Sequence, residues 1–310
     1  MKPYLLRLHR WTSLLFALPL AVVIVTGLIL SVQPMLQDIA IRPGSLDGTK
    51  VEGLLQKFDP DSKARGLFID PFANQMRLQG GGASVDVDLA TGEKATSTSA
   101  LTGLFGWARG THQRIISGFG WLVTASTIAM LVIIALGVLM GLPRLRNSLS
   151  GWHKGMAWFT LPLVVLSPLT GLFLALDVTV GASGPREPAA RPVPLKEAVR
   201  LIAAQHDMSR VISIGARGGR TLARIDLGGD LTAFTVTSQG LTPASRNWSR
   251  ILHEGTWSAL IAGGLNLLVS VVLAGLLMTG VIIWGRRSLR RPQRTRQKAR
   301  PLPDHKVSAA

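Results

Sequence analysis

The chain has 310 residues, a formal net charge of +17 and no cysteine. Hydrophobic residues make up 47% of it and charged residues only 16%, proportions that do not suit a soluble protein. The absence of cysteine excludes disulfides, iron–sulfur clusters and haem attached through Cys-x-x-Cys-His. The sequence also has no Gly-x-Gly-x-x-Gly after a strand-like run and no Gly-x-x-x-x-Gly-Lys-Ser/Thr loop, so no nucleotide-binding domain is predicted.

The apolar residues are concentrated in four blocks, each near the roughly 20 residues that a membrane-spanning helix needs. The blocks occupy residues 11–32, 118–142, 157–177 and 258–284. The first follows Lys2, Arg7 and Arg10, as in a signal peptide, but it is too long for one and lacks a small-x-small cleavage site. We therefore predict a membrane anchor, and a membrane all-α four-helix bundle made of two tandem two-helix repeats.

Two polar segments, 33–106 and 178–250, separate the apolar blocks, and each shows a helical stretch followed by strand-like runs. The helical stretches are 51–58 and 195–205, and the strand-like runs are 66–70, 75–79 and 83–89 in the first segment and 211–214, 221–227 and 231–237 in the second. Glycine turns at 80–82, 218–219 and 228–229 separate the runs, and a proline-rich linker occupies 185–194. The pattern predicts two small α+β domains.

Most of the net positive charge lies at the N-terminus, in the middle connection at 143–152 together with Lys154, and in the tail at 286–310. By the positive-inside rule these regions face the cytoplasm, with both termini inside and the two polar segments on the outer side, which would be the periplasm in a bacterial inner membrane. A tail that anchors topology in the lipid bilayer is favoured over nucleic-acid binding. The predicted spanning regions are 1–32, 107–142, 153–177 and 251–285.

Four of the six histidines stand just before an apolar block: His9, His112, His153 and His253. His9 and His153 precede blocks that reach a Thr-Gly-Leu triplet, with Gly27 and Gly171 each 18 residues after the histidine. We interpret the chain as a tandem repeat, offset by 144 residues at the first histidine and 141 at the second. The other two, His206 and His305, are predicted to have no ligand role.

The predicted topology puts His9 and His153 at the cytoplasmic edge and His112 and His253 at the periplasmic edge. Two imidazoles at one membrane depth are what a bis-histidine haem needs, so we predict two haems b with these histidines as axial ligands of the iron. One histidine at a helix end is usually an interfacial polar residue, and the repetition is what favours ligation. Zinc or copper is a poorer alternative, because each pair has few carboxylates nearby.

Four glycines are predicted beside the haems, where a porphyrin needs small neighbours. At about 1.5 Å per residue, Gly27 and Gly171 reach the depth of the periplasmic haem, and Gly137 and Gly280 that of the cytoplasmic one. Close helix packing is the alternative role for these glycines.

Basic and aromatic residues flank the histidines. Arg109, Arg114 and Arg250 are predicted to hydrogen-bond the propionates of the periplasmic haem, and Arg7, Arg10 and Lys154 lie beside the other pair. Tryptophans crowd the periplasmic boundary, where they form either an aromatic belt or a surface against haem or substrate: Trp107, Trp121, Trp248 and Trp257.

Several short motifs together carry a family resemblance. They are Leu-His-Arg-Trp at 8–11, Trp-His-Lys at 152–154, Leu-His-Glu-Gly-Thr at 252–256 and Asp-Leu-Ala-Thr-Gly-Glu at 88–93. With these motifs the chain resembles PepSY-associated transmembrane proteins over nearly its whole length. The second polar segment has no clear Asp-x-x-Thr-Gly counterpart. The resemblance implies PepSY-like periplasmic domains and a haem-containing inner-membrane reductase that delivers electrons to ferric siderophores.

The favoured function is therefore a dihaem b-type protein that passes electrons from a cytoplasmic or quinol donor to a periplasmic acceptor, a ferric siderophore. No residue is predicted to act as a general acid, base or nucleophile. The alternative is a non-redox, membrane-anchored PepSY regulator that binds a periplasmic peptidase or another partner.

Overall fold

A computed structural model of the chain describes residues 2–80, 83–115, 118–142, 146–181 and 192–298. Parts of the features predicted above lie outside these ranges: residues 81–82 of the glycine turn, 143–145 of the basic connection, 185–191 of the linker, and the tail from 299 with His305.

The helices of the described residues follow the apolar blocks and the two predicted helical stretches. They are α1 (Lys2–Leu15), α2 (Ala17–Ser31), α3 (Gln33–Ala40), α4 (Gly48–Phe58), α5 (Ala100–Arg114), α6 (Gly120–Leu139), α7 (Leu149–Phe159), α8 (Leu161–Ala175), α9 (Leu195–Ala203), α10 (Trp248–Glu254) and α11 (Ala259–Lys298). A short 3-10 turn covers Met208–Arg210.

Each apolar helix is preceded by a separate helix that carries the histidine. His9 lies on α1, His112 on α5, His153 on α7 and His253 on α10, and the apolar helices that follow are α2, α6, α8 and α11. The breaks between α1 and α2 and between α7 and α8 fall at Phe16 and Thr160, which are 144 residues apart like the two histidines. The tandem repeat therefore extends to where the helices break.

The predicted four-helix bundle is wrong. Among the described residues, three stretches are long and apolar enough to cross a membrane, Ala17–Ala40, Gly120–Leu139 and Ala259–Leu289, whereas α7 and α8 pass only as a pair that is bent by 68°. The proline in the first turn of α8 has no N–H, so it cannot continue the helical hydrogen bonds of α7. It also disfavours a helical backbone conformation at the residue before it. Hydropathy counts apolar residues and does not register such a bend.

The strands of both polar segments form a single sheet. They are β1 (Ala64–Asp70), β2 (Gln75–Gly80), β3 (Ala83–Asp88), β4 (Val211–Arg217), β5 (Arg220–Asp226), β6 (Leu231–Thr237) and β7 (Gly240–Pro243). Their order is β3-β2-β1-β4-β5-β6-β7, with every neighbouring pair antiparallel. The two segments join where Leu67 of β1 pairs with Ile214 of β4.

The prediction of two small domains is therefore also wrong, because the segments share one sheet and one core. Strands β1 and β4 would each be an edge of a separate meander, and an edge exposes unpaired N–H and C=O groups. Pairing the two edges satisfies these groups. Helices α4 and α9 cover one face of the joined sheet, and the core contains fully buried Val51, Leu67, Ile202 and Ile214.

The opposite face of the sheet, called the open face here, looks toward α5 and α10. Phe68, Arg77 and Arg224 alternate with core residues along their strands and so point to this face. The Thr102 hydroxyl of α5 donates to Asp70 at the end of β1, and Arg224 pairs with Glu254 of α10 at 3.6 Å. The sheet also contacts the start of α11, where the Ala259 N–H donates to the Gly229 carbonyl at 2.8 Å.

Candidate functional site

Two of the four histidines lie close together beneath the open face of the sheet. The ring centroids of His112 and His253 are 6.1 Å apart, and the ring planes are inclined by 39°. We call these residues the sheet-side pair. His9 and His153, the far-side pair, lie near the other ends of α6 and α11 and are close enough for their charges to interact. The structure thus brings together the same partners that the repeat predicts.

His112 fits against a specific stretch of α2. Its Nδ1 lies 3.0 Å from the carbonyl oxygen of Val23 and 3.1 Å from the hydroxyl of Thr26. A Cβ placed on Gly27 would lie 3.2 Å from Cε1 of the ring, which is tighter than an ordinary contact. The carbonyl and hydroxyl therefore hold the ring, and the glycine leaves room for it.

His253 uses the repeat-equivalent stretch of α8. Its Nδ1 lies 3.1 Å from the Ser167 carbonyl oxygen and 3.3 Å from the Thr170 hydroxyl. A Cβ on Gly171 would lie only 2.8 Å from Cε1 of His253, closer than real Cβ contacts come. These residues stand 144 positions after Val23, Thr26 and Gly27. We call the combination of a carbonyl, a threonine three residues later and the following glycine the acceptor motif.

The acceptor motif recurs at His153 but is incomplete at His9. The Nδ1 of His153 lies 2.8 Å from the Thr279 hydroxyl, and the next residue, Gly280, would bring a Cβ 3.7 Å from Cε1.

The Nδ1 of His9 lies 3.0 Å from the carbonyl oxygen of Ile133. Three residues after Ile133 stands Leu136 instead of threonine, followed by Gly137, whose Cβ position meets nothing within 4 Å. Of the four glycines predicted beside the haems, three therefore adjoin a histidine ring directly.

The hydrogen bonds of the threonines decide which ring nitrogen is protonated. Thr26, Thr170 and Thr279 each donate their hydroxyl hydrogen to the carbonyl four residues earlier, at 2.7, 2.8 and 2.7 Å. Their oxygens are then acceptors toward the imidazole, as the backbone carbonyls are. A neutral imidazole between such acceptors carries its hydrogen on Nδ1 and keeps the lone pair on Nε2. Nε2 with a lone pair is the form that binds a metal ion.

The spacing of the sheet-side pair suits one metal ion between two imidazoles. With metal–nitrogen bonds of about 2.0 Å, ring centroids 6.1 Å apart would allow both imidazoles to hold one metal ion. No group of three or more histidine, aspartate or glutamate side chains gathers anywhere in the part of the chain that the structure describes. A tetrahedral zinc centre would need such a group, whereas a haem supplies the other four ligands itself.

Two of the three arginines predicted beside the sheet-side pair bond to other side chains of the protein. Arg109 donates to the side chain of Gln33 at 2.8 Å, and Arg250 to Glu254 at 2.9 Å. Arg114 folds back along α5 toward Gly110.

The remaining predicted residues lie at the surface or away from the pairs. Trp107 and Trp121 are 57% and 63% exposed, which is typical of a belt at a membrane boundary. The His206 ring packs on Phe234, with centroids 5.3 Å apart, on the sheet and away from both histidine pairs.

Sequence reasoning missed the threonines and one membrane asparagine. The sequence signal for the threonines is that three of the four predicted glycines directly follow a threonine, at 26–27, 170–171 and 279–280. Asn266 of α11 donates to the carbonyl oxygen of His253 at 3.0 Å and so secures the end of α10. Nothing in the sequence relates Asn266 to a histidine 13 residues earlier.

The comparison with known families agrees with the apolar helices. A model of the PepSY-associated TM region matches residues 6–287. The chain belongs to this family. The predicted resemblance is confirmed, and the protein is a membrane protein. No curated protein matches the chain significantly.

Proposed function

We propose that this PepSY-associated protein transfers electrons across a bacterial inner membrane through two haems b and reduces ferric siderophores on the periplasmic side. The observation that carries the proposal is the sheet-side pair, two imidazoles with centroids 6.1 Å apart and each held through Nδ1. When bound, haem supplies a reversible one-electron couple.

The residues of the chain bind and orient. The four histidines would hold the haem irons through Nε2, and the hydrogen bonds at Nδ1 orient the rings. The histidine rings are partly buried among the helices. Arg109 and Arg114 are the proposed donors to the propionates at the sheet-side pair, because Arg250 already has the carboxylate of Glu254 as its partner.

The proposed orientation rests on charge and on the joined sheet. The positive charges at the N-terminus and after α11 favour the cytoplasm for both ends. Strands β1 and β4 pair, so the chain must cross the membrane an even number of times between them. Helix α6 is one crossing, and the bent pair of α7 and α8 is the return. The sheet then lies in the periplasm.

The acceptor is proposed to bind beneath the open face of the sheet. The acceptor cannot bind in a cleft between two separate domains, because β1 and β4 pair with each other and leave no such cleft. The open face instead presents Phe68, which is 42% exposed, with Arg77 on the neighbouring strand β2 and Arg224 two strands away on β5. These arginines pair with Asp86 and Glu254, and a ferric chelate with anionic oxygen ligands would take the place of these carboxylates above the sheet-side pair. Reduction weakens the chelate, because hard oxygen ligands prefer Fe(III).

Purified protein tests the proposal directly. We expect two haems b per chain with low-spin, bis-imidazole spectra, and re-oxidation of the reduced protein by a ferric siderophore with Fe(II) trapped by ferrozine. His112→Ala or His253→Ala should remove one haem and His9→Ala or His153→Ala the other. His206→Ala is the matched control and should retain both. Haem-free protein would refute the proposal, and reaction with quinones but with no ferric siderophore would refute the substrate.

A regulator that binds a periplasmic partner is the second candidate. The observation that favours it is a cleft of about 440 Å³ on the helix-covered side of the sheet, away from the histidines and lined in part by Asp59, Arg65 and Lys196. A haem-free protein that binds a partner through Arg65 and Lys196 would support this function instead.

A further inference from the structure

We propose that the threonines of the acceptor motifs set the electron-donating strength of the histidine ligands, and that Leu136 makes the far-side haem the one with the higher reduction potential. This inference rests on the proposed haem-binding function. It adds a tuning role for residues that do not touch the haem iron, which makes them positioning residues.

Three of the four histidines have a threonine oxygen as an acceptor at Nδ1. His112 and His253 have a backbone carbonyl as well: the acceptors are Val23 O and Thr26 Oγ1 for His112, and Ser167 O and Thr170 Oγ1 for His253. His153 has the Thr279 hydroxyl at 2.8 Å.

His9 differs because its only such acceptor among the described residues is Ile133 O, at 3.0 Å. Leu136, at the position of the threonine, has no oxygen to offer. The sheet-side pair therefore has two complete acceptor motifs and the far-side pair has one.

An acceptor at Nδ1 makes an imidazole a stronger donor at Nε2, because it draws the Nδ1 hydrogen away from the ring. Partners of this kind raise ligand basicity and tune redox potential. A stronger donor stabilises Fe(III) more than Fe(II), so it lowers the reduction potential. The threonine oxygen is free for this role, since its own hydrogen is bound to the carbonyl four residues earlier.

The expected consequence is an unequal pair of haems. The sheet-side haem, with two complete motifs, is expected to have the lower potential and to be the stronger reductant. That position is the one beneath the open face, where the proposed acceptor binds. An acceptor held tightly as Fe(III) is hard to reduce, so a strong reductant is needed there.

Threonine-to-valine variants test the inference, because valine keeps the branched shape and removes the oxygen. Thr26→Val and Thr170→Val should raise the midpoint potential of the sheet-side haem, and Thr279→Val that of the far-side haem. A tenfold change in relative affinity for the two iron states corresponds to about 59 mV in a one-electron couple. Leu136→Thr should lower the far-side potential.

The matched control is Thr127→Val. Thr127 is also buried in an apolar helix, with its hydroxyl bound to the carbonyl four residues earlier at 2.8 Å, and it has no hydrogen bond to a histidine. Each potential is assigned to its haem by the histidine variants. Unchanged potentials in Thr26→Val and Thr170→Val, with both haems present, would overturn the inference and leave the proposed function standing. A wild-type chain without haem would overturn both.

A second readout does not depend on bound haem. Nitrogen NMR of protein labelled at histidine should show Nδ1–H and unprotonated Nε2 for all four membrane histidines. The Nδ1–H of His112 should move upfield in Thr26→Val, because one acceptor is lost. Hydrogen on Nε2 of the sheet-side pair would contradict the acceptor motif itself.

Discussion

The rings of His112 and His253 lie 6.1 Å apart although the residues are 141 positions apart in the chain. Each ring is held by a helix of its own repeat, His112 by α2 and His253 by α8. The pair forms where the two repeats meet, since α5 and α10 end beside each other under the shared sheet. A site of this kind needs both halves of the chain.

The glycines of the acceptor motifs predict graded effects of alanine substitutions. Gly171→Ala should displace the His253 ring and lower haem content at the sheet-side pair most, because the new Cβ would lie 2.8 Å from Cε1. Gly27→Ala, at 3.2 Å from the His112 ring, should have a smaller effect. Haem per protein, measured as the pyridine haemochrome, gives the ranking.

Gly137→Ala is the control for this series, since its Cβ position meets nothing within 4 Å. It should keep both haems and stabilise its helix by about 0.5–1 kcal/mol, the usual gain of alanine over glycine. Equal haem loss in Gly137→Ala and Gly171→Ala would show that contact with the ring is not the reason.

The joined sheet predicts the accessibility of single cysteines, for which the cysteine-free chain is a natural background. Ser84→Cys on β3 and Ser238→Cys after β6 should react with a membrane-impermeant maleimide in intact spheroplasts. With the proposed orientation, Ser288→Cys, at the far end of the apolar part of α11, should react only after permeabilisation, because one crossing separates it from the sheet. Labelling of Ser84→Cys and Ser238→Cys from opposite sides would contradict the single sheet.

The pairing of β1 with β4 predicts that a core change in one segment destabilises the other. Ile214→Ala removes a fully buried side chain next to Leu67 and should cost about 2–5 kcal/mol of unfolding free energy. Hydrogen exchange should then speed up in β2 as well as in β5. Leu227→Ala, at a side chain 45% exposed, is the control and should change neither strand. Faster exchange in β5 alone would mean that the segments unfold separately.

The turn after β3 predicts a dependence on acidic pH. Hydrogen bonds from the backbone N–H groups of Thr91 and Ala90 hold the pKa of the Asp88 carboxyl below its ordinary value. A carboxyl whose pKa is lower in the folded state adds stability above its unfolded pKa, and this stability is lost as the pH falls through the folded pKa. Asp88→Asn should therefore lose less stability than the wild type between neutral and strongly acidic pH. Parallel curves of Tm against pH for the two proteins would contradict this role.

The same turn explains the family motif and the missing counterpart. In Asp-Leu-Ala-Thr-Gly-Glu the aspartate closes the turn, and Gly92 has a φ of 70°, in the left-handed region that favours glycine. After β6 the corresponding turn uses Thr237, whose hydroxyl donates to the Gly240 carbonyl at 3.1 Å. A threonine and a glycine thus close the second turn without the aspartate, so a sequence motif could not reveal the equivalence.

The positions of the four histidines ahead of apolar helices, and the family, could be predicted from the sequence. The apolar blocks and the repeat of about 144 residues can be recognised along the chain without knowledge of the fold. The constant rise per residue of a helix also predicts how deep in the membrane Gly27 and Gly171 lie. It does not predict which residues they contact, because it does not determine which neighbouring helix packs against them.

Only the tertiary structure decided three things: the bend between α7 and α8, the pairing of β1 with β4, and the threonine at Nδ1 of three histidines. Each depends on groups far apart in the chain or on a local break that hydropathy averages away. An edge strand can pair with any strand that satisfies its backbone N–H and C=O groups, so the sequence of β1 does not predict that β4 is its partner. The sequence likewise predicts one hydrogen bond of each threonine hydroxyl, to the carbonyl four residues earlier in the same helix. It does not predict the second, to a distant imidazole, because that contact depends on how the helices of the two repeats pack.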